Sequence, residues 1–314
     1  MSSVEAVPGV RHASNGRSAE TAFRAVSVSA AGALLIVLAL MLVKLGLVSA
    51  PAWRAAGGQL LTGTRWAPSR GIFGGLPFVY GTVVTSLIAI VLAVPVALGT
   101  ALLLPDVAPA RLRSLLSAFV DLLAAVPSVV YGLWGILVLV PAVRPFQQWL
   151  GRTLGNMIPI FRPPAPGIGY LTAGILLAIM ILPTISAVSR EVFLKVSRDQ
   201  REAALALGAT RWEMIRTAVL PASRSGVIGA VILGLGRALG ETIAVTIVIG
   251  NSPNISTSIL APGYTMPSLI ANEFSEATSP LHLQALVAVG MMLFVVTLVV
   301  NIFARLLVRE RRRG

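Results

Sequence analysis

Six long apolar segments dominate this chain, and each is long enough to cross a lipid bilayer. A helix needs about 20 consecutive apolar residues to span the hydrocarbon core. Hydrophobic residues make up 56% of the sequence and the mean hydropathy is +0.85, which is too apolar for one soluble core. We therefore predict an all-α, polytopic membrane protein. The predicted spans are residues 25–48, 76–104, 115–141, 168–189, 225–250 and 282–308.

The sequence divides into a membrane domain and two short tails. Residues 1–24 are polar and predict a disordered cytoplasmic tail, whereas residues 309–314 form a basic cytoplasmic tail. Between them, residues 25–308 form the transmembrane domain. The first apolar run follows three arginines, as in a secretory signal. It is longer than the 7–15 apolar residues of such a signal, so we expect an uncleaved anchor.

The distribution of Lys and Arg predicts which side of the membrane each loop occupies. If both termini are cytoplasmic, Lys44 and Arg237 fall within spans, and 17 of the 25 basic residues fall on the inside. The six on the outside are Arg54, Arg65, Arg70, Arg144, Arg152 and Arg162. This bias favours cytoplasmic termini. It also explains the net charge of +13 by topology, without a nucleic-acid partner.

Two residue types that often build catalytic or metal sites are scarce. The chain contains no cysteine and only two histidines, His12 in the tail and His282 near a span end. A disulfide framework, a thiolate metal site and a histidine-based metal site or triad are therefore not expected. We predict no metal and no cofactor in this chain.

One arginine lies in the middle of an apolar run. Residues 225–250 read SGVIGAVILGLGRALGETIAVTIVIG, with Arg237 at the centre and Glu241 one helical turn later. A charge at the bilayer centre costs roughly 2.5–3.5 kcal/mol on insertion scales. Such a residue usually faces a bundle interior or a watery path, which points to transport. The alternative is a neutral pair that only packs helices together.

The longest charged segment, residues 190–224, predicts two short helices. The first, around residues 199–207, ends at Gly208, which suits a left-handed position. The second begins at Thr210, with Glu213 completing a capping box, and we expect Pro221 to stop it. Trp212, Ile215 and Val219 are predicted near one face. Periodicity alone leaves two readings: an amphipathic hairpin on lipid headgroups, or a surface that docks a soluble partner.

The same loop resembles the EAA motif of ATP-binding-cassette importer permeases. The matching residues are Glu202, Ala203, Ala204, Gly208, Leu220 and Pro221. Where the family usually has isoleucine before the Leu-Pro pair, this chain has Ala218. The resemblance implies the type I, MetI-like permease fold and a loop that seats in an ATPase subunit. The chain lacks a G-x-x-x-x-G-K-[ST] stretch, so we expect ATP to be hydrolysed on another polypeptide and this chain to be non-catalytic.

Three further stretches resemble a narrower family, the PstC-type permeases of phosphate-specific importers. They are GLGRALGETIAVTIVIGN at 234–251, LLAAVPSVVYGLWG at 122–135 and PGYTMPSLIANEFSEA at 262–277. The likeness covers essentially residues 25–308. It implies four partners in a bacterial inner membrane: a second permease of the PstA type, two ATPase subunits and an extracytoplasmic phosphate-binding protein.

The chemistry of the Arg237–Glu241 pair suits phosphate. Arginine stays charged and offers a planar fork of donors to tetrahedral oxyanions. Glu241 is predicted to neutralise Arg237 and to accept a hydrogen bond from a protonated phosphate, which sulfate cannot supply near neutral pH. Ser128 and Tyr131 are further candidates to line the path. The alternatives are a permease of this architecture for sulfate or molybdate, and a stand-alone ion-coupled carrier.

Overall fold

A computed structural model of the chain describes residues 15–106 and 110–310. It contains two compact units, one ending at Val48 and the other beginning at Ser49. The first unit contains a single long helix, whose side chains from Glu20 to Leu47 are mostly exposed. The second unit contains the remaining helices and the functional residues identified above.

Helices make up most of the described residues. The α-helices, numbered α1–α13 in chain order, are Asn15–Ala56, Gln59–Thr62, Leu76–Asp106, Ala110–Ala125, Ser128–Trp134, Val140–Leu154, Tyr170–Leu194, Arg198–Ala206, Arg211–Met214, Leu220–Gly240, Ile243–Ile249, Met266–Glu273 and Pro280–Glu310. Short π-helical segments, Gly135–Leu139 and Ile215–Val219, join α5 to α6 and α9 to α10. Strands β1 (Trp66–Ala67) and β2 (Ile72–Phe73) form a small antiparallel hairpin in which Trp66 pairs with Phe73.

Six helical stretches in the described residues are long and apolar enough to cross a membrane, as predicted. They run over Glu20–Ala56, Leu76–Leu102, Ser128–Leu154, Tyr170–Leu194, Arg211–Gly240 and Pro280–Leu306. Four of them overlap closely with the predicted spans. The third and fifth are displaced, each for a local reason.

The third stretch begins later than the predicted 115–141. Helix α4 ends at Ala125, and Pro127 adopts extended angles (φ −61°, ψ 143°) before α5 begins. A residue that precedes proline disfavours the helical region, so α4 stops before Val126. The helix that follows then continues to Leu154, into residues predicted as the start of an outer loop.

The fifth stretch begins at Arg211 and ends at Gly240, rather than covering 225–250. Pro221 does not stop the second helix of the 190–224 segment (the coupling loop), contrary to the prediction. The backbone first widens into the π segment, where the Leu220 N–H bonds to the Ile215 carbonyl, and Pro221 then lies in the first turn of α10. A wide turn relieves the clash of the proline ring with a preceding carbonyl. The same arrangement recurs at Pro141, after the other π segment.

Both predicted tails are shorter than expected. Helix α1 begins at Asn15, so residues 15–24 of the predicted disordered tail are helical. Helix α13 continues to Glu310 and includes the start of the basic tail. The rest of both tails, residues 1–14 and 311–314, lies outside the described residues.

Helices α3, α7 and α10 form the centre of the second unit, and α7 is its most buried helix. Small residues allow α10 to approach α7 closely. A Cβ at Gly226 would lie 2.4 Å from Val192, and one at Gly234 would lie 2.6 Å from Ile185. Gly226, Ala230, Gly234 and Ala238 recur at four-residue spacing along α10, and this row of small residues serves helix packing.

This close approach predicts a difference between two glycines of the same helix. Gly234→Ala is expected to destabilise the protein by about 1–3 kcal/mol, because the added methyl overlaps Ile185. Gly229→Ala is the matched control, since a Cβ there meets nothing within 4 Å. It should leave stability unchanged or raise it by up to about 1 kcal/mol. Thermal unfolding of the two purified variants measures the difference, and equal melting temperatures would contradict the packing argument.

Candidate transport site and coupling loop

The apolar run that carries Arg237 is broken into two helices. Helix α10 ends at Gly240, Glu241 is extended (φ −68°, ψ 128°), and α11 begins at Ile243. The predicted continuous helix over 225–250 is therefore wrong. The Thr242 hydroxyl donates to the Gly240 carbonyl at 3.2 Å, which satisfies a carbonyl left free by the break.

Arg237 lies in the last turn of α10, and its side chain is exposed. A cation is favourable there because the carboxyl end of a helix carries partial negative charge. In the part of the chain described, the Arg237 guanidinium forms no ion pair within 4.0 Å.

Glu241 occupies the gap between the two helices. Its Oε1 accepts a hydrogen bond from the Ala244 N–H at 3.5 Å, a long bond across the first turn of α11. Because α10 ends one residue earlier, Glu241 is not one turn further along the same helix as Arg237. Within the described residues the predicted neutralising contact between the two side chains is not made. The pair therefore presents two separate charges at one helix break.

Helix α11 packs against α5 and α7 through glycine contacts. A Cβ at Gly132 would lie 3.2 Å from the Ala244 Cα, and one at Gly135 would lie 2.9 Å from Val248. Both glycines belong to the LLAAVPSVVYGLWG stretch. That stretch therefore has a structural role: Pro127 starts α5, and the two glycines admit α11.

Tyr131 links the two sides of the α4–α5 break. Its hydroxyl donates to the Leu123 carbonyl at 2.8 Å, and the ring is buried. The ring also lines an apolar cavity of about 270 Å³, together with Leu123, Val126, Val130, Trp134 and Ile179. The Tyr131 hydroxyl therefore already donates its hydrogen bond to the backbone. Ser128, the other candidate, is half-buried at the start of α5.

The carboxyl end of α11 is capped by two residues in left-handed conformations. Gly250 has φ 89° and Asn251 has φ 48°. The Asn251 side-chain amide donates to the Thr246 carbonyl at 3.0 Å, which satisfies part of the helix end. The Gly-Asn pair at the end of the 234–251 stretch is therefore explained by this short helix.

The 262–277 stretch contacts the β1–β2 hairpin and stabilises that part of the second unit. Asn272 Nδ2 donates to the Tyr264 hydroxyl at 2.9 Å. Burial raises the pKa of that hydroxyl, with a smaller opposing effect from Asn272. Glu273 accepts a hydrogen bond from Trp66 Nε1 at 2.9 Å and lies 2.8 Å from His282 Nε2. Sequence reasoning missed this cluster, because its members are far apart in the chain.

The loop between α7 and α10 has the local structure predicted for it. Helix α8 covers Arg198–Ala206, and Gly208 follows in a left-handed conformation (φ 86°). Thr210 and Glu213 form both bonds of a capping box on α9. Both predictions are confirmed.

The loop combines a buried face with an exposed apolar one. Ile215 and Val219 are buried against Phe193, whose carbonyl accepts a 2.7 Å hydrogen bond from Arg201 Nη2. Trp212 does not lie on that buried face, contrary to the prediction, and its side chain is 63% exposed. Of the EAA residues, Ala204 packs on the buried face, Glu202 and Ala203 are exposed, and Leu220 and Pro221 lie in the first turn of α10. Exposed apolar residues on the loop are Leu205, Leu207 and Trp212.

A bundle of apolar helices, a charged helix break and a helical loop with exposed apolar residues together define a multi-pass membrane transport permease. Residues 93–313 match the family described as binding-protein-dependent transport system inner membrane component, and the chain belongs to this family.

Curated relatives narrow the assignment. The chain is 42% identical over 315 residues to the phosphate transport system permease protein PstC of Mesorhizobium japonicum, covering 97% of this chain and 96% of that protein. It is 48% identical over 254 residues to PstC of Xylella fastidiosa strain Temecula1, covering 80% and 78%. It is 43% identical over 307 residues to PstC 2 of Mycobacterium tuberculosis, covering 95% and 94%.

Solved structures show the same fold at low identity. A bacterial alginate ABC transporter in complex with alginate pentasaccharide-bound periplasmic protein matches with a TM-score of 0.61 at 17% identity, covering 94% of this chain and 96% of that one. An inward-facing MetNI methionine ABC transporter matches with a TM-score of 0.50 at 16% identity, covering 73% and 93%. These structures support the type I, MetI-like permease fold.

Proposed function

We propose that this chain is the PstC-type permease subunit of an ATP-driven importer of inorganic phosphate. The observation that carries the proposal is the likeness to proteins named PstC along nearly the whole chain, which includes both the helix break and the coupling loop. In this role the chain forms part of the translocation path, with Arg237 and Glu241 beside it.

The geometry of the break supports an oxyanion as cargo. Arg237 has no ion pair with a described residue, and an arginine can donate two parallel hydrogen bonds to a phosphate. Glu241 is half-buried and accepts only one long hydrogen bond. Its carboxylate can therefore accept a further hydrogen bond from a protonated oxygen of the anion. Phosphate carries such a proton near neutral pH, whereas sulfate does not. A fixed carboxylate would therefore favour phosphate by repelling sulfate.

The coupling loop fits docking to an ATPase better than resting on headgroups. Its buried face is anchored to α7 by Arg201, and its exposed apolar residues include Leu207, which is 90% exposed. Because α9 continues through the π segment into α10, movement of the loop is transmitted to the helix that carries Arg237. ATP is bound and hydrolysed on partner subunits, and this chain needs no cofactor or metal of its own.

The proposed assembly contains a second permease of the PstA type, two ATPase subunits and an extracytoplasmic phosphate-binding protein. It resides in the bacterial inner membrane, within the lipid bilayer, with both termini in the cytoplasm. The excess of Lys and Arg on the predicted inner side supports this orientation. No nucleic acid takes part.

Competition between oxyanions tests the substrate. In proteoliposomes with the assembled transporter and its binding protein, excess arsenate should suppress uptake of labelled phosphate, whereas excess sulfate should not. Glu241→Gln tests the contribution of the permease, because this variant leaves the binding protein unchanged. Glutamine keeps a side-chain oxygen that can accept the hydrogen bond from the Ala244 N–H, but it removes the negative charge. We expect this variant to lose at least about tenfold in phosphate uptake, as for one lost charge-assisted hydrogen bond.

Two outcomes of these experiments would overturn the proposal. Suppression by sulfate or molybdate, but not by arsenate, would favour a permease of the same architecture for another oxyanion. Movement of phosphate by the purified chain alone, without ATP or partners, would favour a stand-alone ion-coupled carrier.

A further inference from the structure

A second cavity, with a mixed polar and apolar lining, lies at the end of the bundle where the coupling loop begins. It has a volume of about 400 Å³ and lies between the end of α7, the start of α8 and the start of α10. Its lining residues are Val192, Lys195, Val196, Ser197, Gln200, Ala222, Ser223, Ser225 and Gly226. We call it the α7–α10 cleft. Arg237 and Glu241 do not line it, so it is distinct from the helix break.

The α7–α10 cleft has one charge, and that charge is positive. The Lys195 side chain forms no hydrogen bond or ion pair with any residue of the described ranges, although its backbone N–H donates to the Phe193 carbonyl. No Asp or Glu of those ranges lines the cleft: Glu191 pairs with Arg190 at 3.8 Å, and Asp199 lies in the first turn of α8. An unpaired ammonium group without a lining carboxylate selects for an anion.

Neutral donors complete the lining. The side chains of Gln200 and Ser225 form no hydrogen bond with another described residue, and Ser197 Oγ accepts only a 3.4 Å bond from the Gln200 N–H. Ser223 differs, because its hydroxyl already donates to the Val219 carbonyl at 2.6 Å. Three donors and one cation around a space of this size fit a tetrahedral anion with several acceptor oxygens.

The walls of the α7–α10 cleft are held in place by buried contacts. Phe193 and Val196, on either side of Lys195, are buried, and Arg201 ties α8 to the Phe193 carbonyl. On the facing wall, Gly226 approaches Val192 so closely that a Cβ would lie 2.4 Å from it. In this conformation the walls are therefore packed and the space is open, which lowers the entropic cost of binding.

We propose that the α7–α10 cleft binds a phosphate group on the cytoplasmic side of the membrane. The assignment of the side rests on the proposed function, since it uses the orientation given there. Two sources supply such a group: the headgroup of an anionic phospholipid, whose glycerol end would lie against Val192 and Val196, and free inorganic phosphate. Because the ligand touches α8 and α10 together, its binding stabilises one arrangement of the coupling loop relative to α10.

The experiment uses the assembled transporter with Arg237→Gln as background, so that the transport site does not contribute. In one arm, native mass spectrometry measures binding of phosphatidylglycerol; in the other, isothermal titration calorimetry measures binding of inorganic phosphate. Lys195→Gln should weaken binding about tenfold or more in one arm, as for one lost charge-assisted hydrogen bond. Arg198→Gln is the matched control, because it removes an exposed charge three residues away that does not line the cleft.

The source of the phosphate group is identified by the arm in which Lys195→Gln weakens binding and Arg198→Gln does not. Equal effects of Lys195→Gln and Arg198→Gln in both arms, or no binding by the parent in either arm, would overturn the proposal. Uptake of phosphate by the transporter with intact Arg237 is measured separately. Uptake with no binding in the cleft refutes this inference alone, whereas binding without uptake refutes only the proposed function.

Discussion

Replacing Arg237 with glutamine should abolish phosphate uptake while leaving the transporter assembled. The side chain is exposed and forms no ion pair with a described residue, so its loss removes no packing from the subunit. Two charge-assisted hydrogen bonds to the anion contribute roughly 1.5–3 kcal/mol each, which corresponds to a loss of at least about a hundredfold. Labelled phosphate uptake in proteoliposomes measures the effect, and copurification of the partner subunits measures assembly.

Arg152→Gln is the matched control for this experiment. Arg152 is also exposed and also lies in the last turn of a helix, α6, but it is far along the chain from the break. It should retain normal uptake. If Arg237→Gln instead prevents copurification of the partners, the alternative role as a packing pair is correct and the site assignment fails.

Substituting Gly208 with proline should uncouple ATP hydrolysis from transport. Gly208 has φ 86°, whereas proline fixes φ near −65°, so the turn between α8 and α9 must change. The buried anchor of α9 through Ile215 and Val219 remains, so the chain should still fold. We expect ATP hydrolysis by the assembled transporter to persist while uptake per ATP falls by about tenfold or more.

Gly71→Pro provides the control, because Gly71 also has a positive φ (68°) and open space around it but lies in the small hairpin. A charge at Ala204 should also uncouple, although Ala204 packs on the core that contains Phe193. Leu207→Asp distinguishes loss of coupling from damage to the core, because Leu207 is 90% exposed and its replacement leaves the core intact. Unchanged ATP-dependent uptake in Gly208→Pro and Leu207→Asp would remove the coupling role from the loop.

Local signals explain what could be predicted from the sequence. The turn at Gly208 and the capping box of Thr210 and Glu213 depend on residues within a few positions of each other, and all form as predicted. The membrane-spanning helices could likewise be predicted from the number of consecutive apolar residues. Each of these features is determined by short-range backbone chemistry or by the thickness of the bilayer.

The helix break at Gly240 could not be found in the same way. No proline marks it, and α11 is as apolar as the helix before it. The break depends on Gly132 and Gly135, more than 100 positions earlier in the chain, which provide the space for α11. The only nearby signals are its caps: Glu241 at one end, and Gly250 with Asn251 at the other. Such residues are common in loops and do not by themselves indicate a short helix.

The two π segments change how faces must be assigned on the helices that contain them. A π turn holds one residue more than an α turn, and one residue corresponds to about 100° of rotation around the axis. A helical wheel drawn from Arg211 at constant pitch would therefore misplace Arg237 by about 100° around the axis of α10. The angular count has to restart at Leu220, and likewise at Val140 for α6. In a mutational scan of these helices, residues should be assigned to faces with the angular count restarted at Leu220 or Val140.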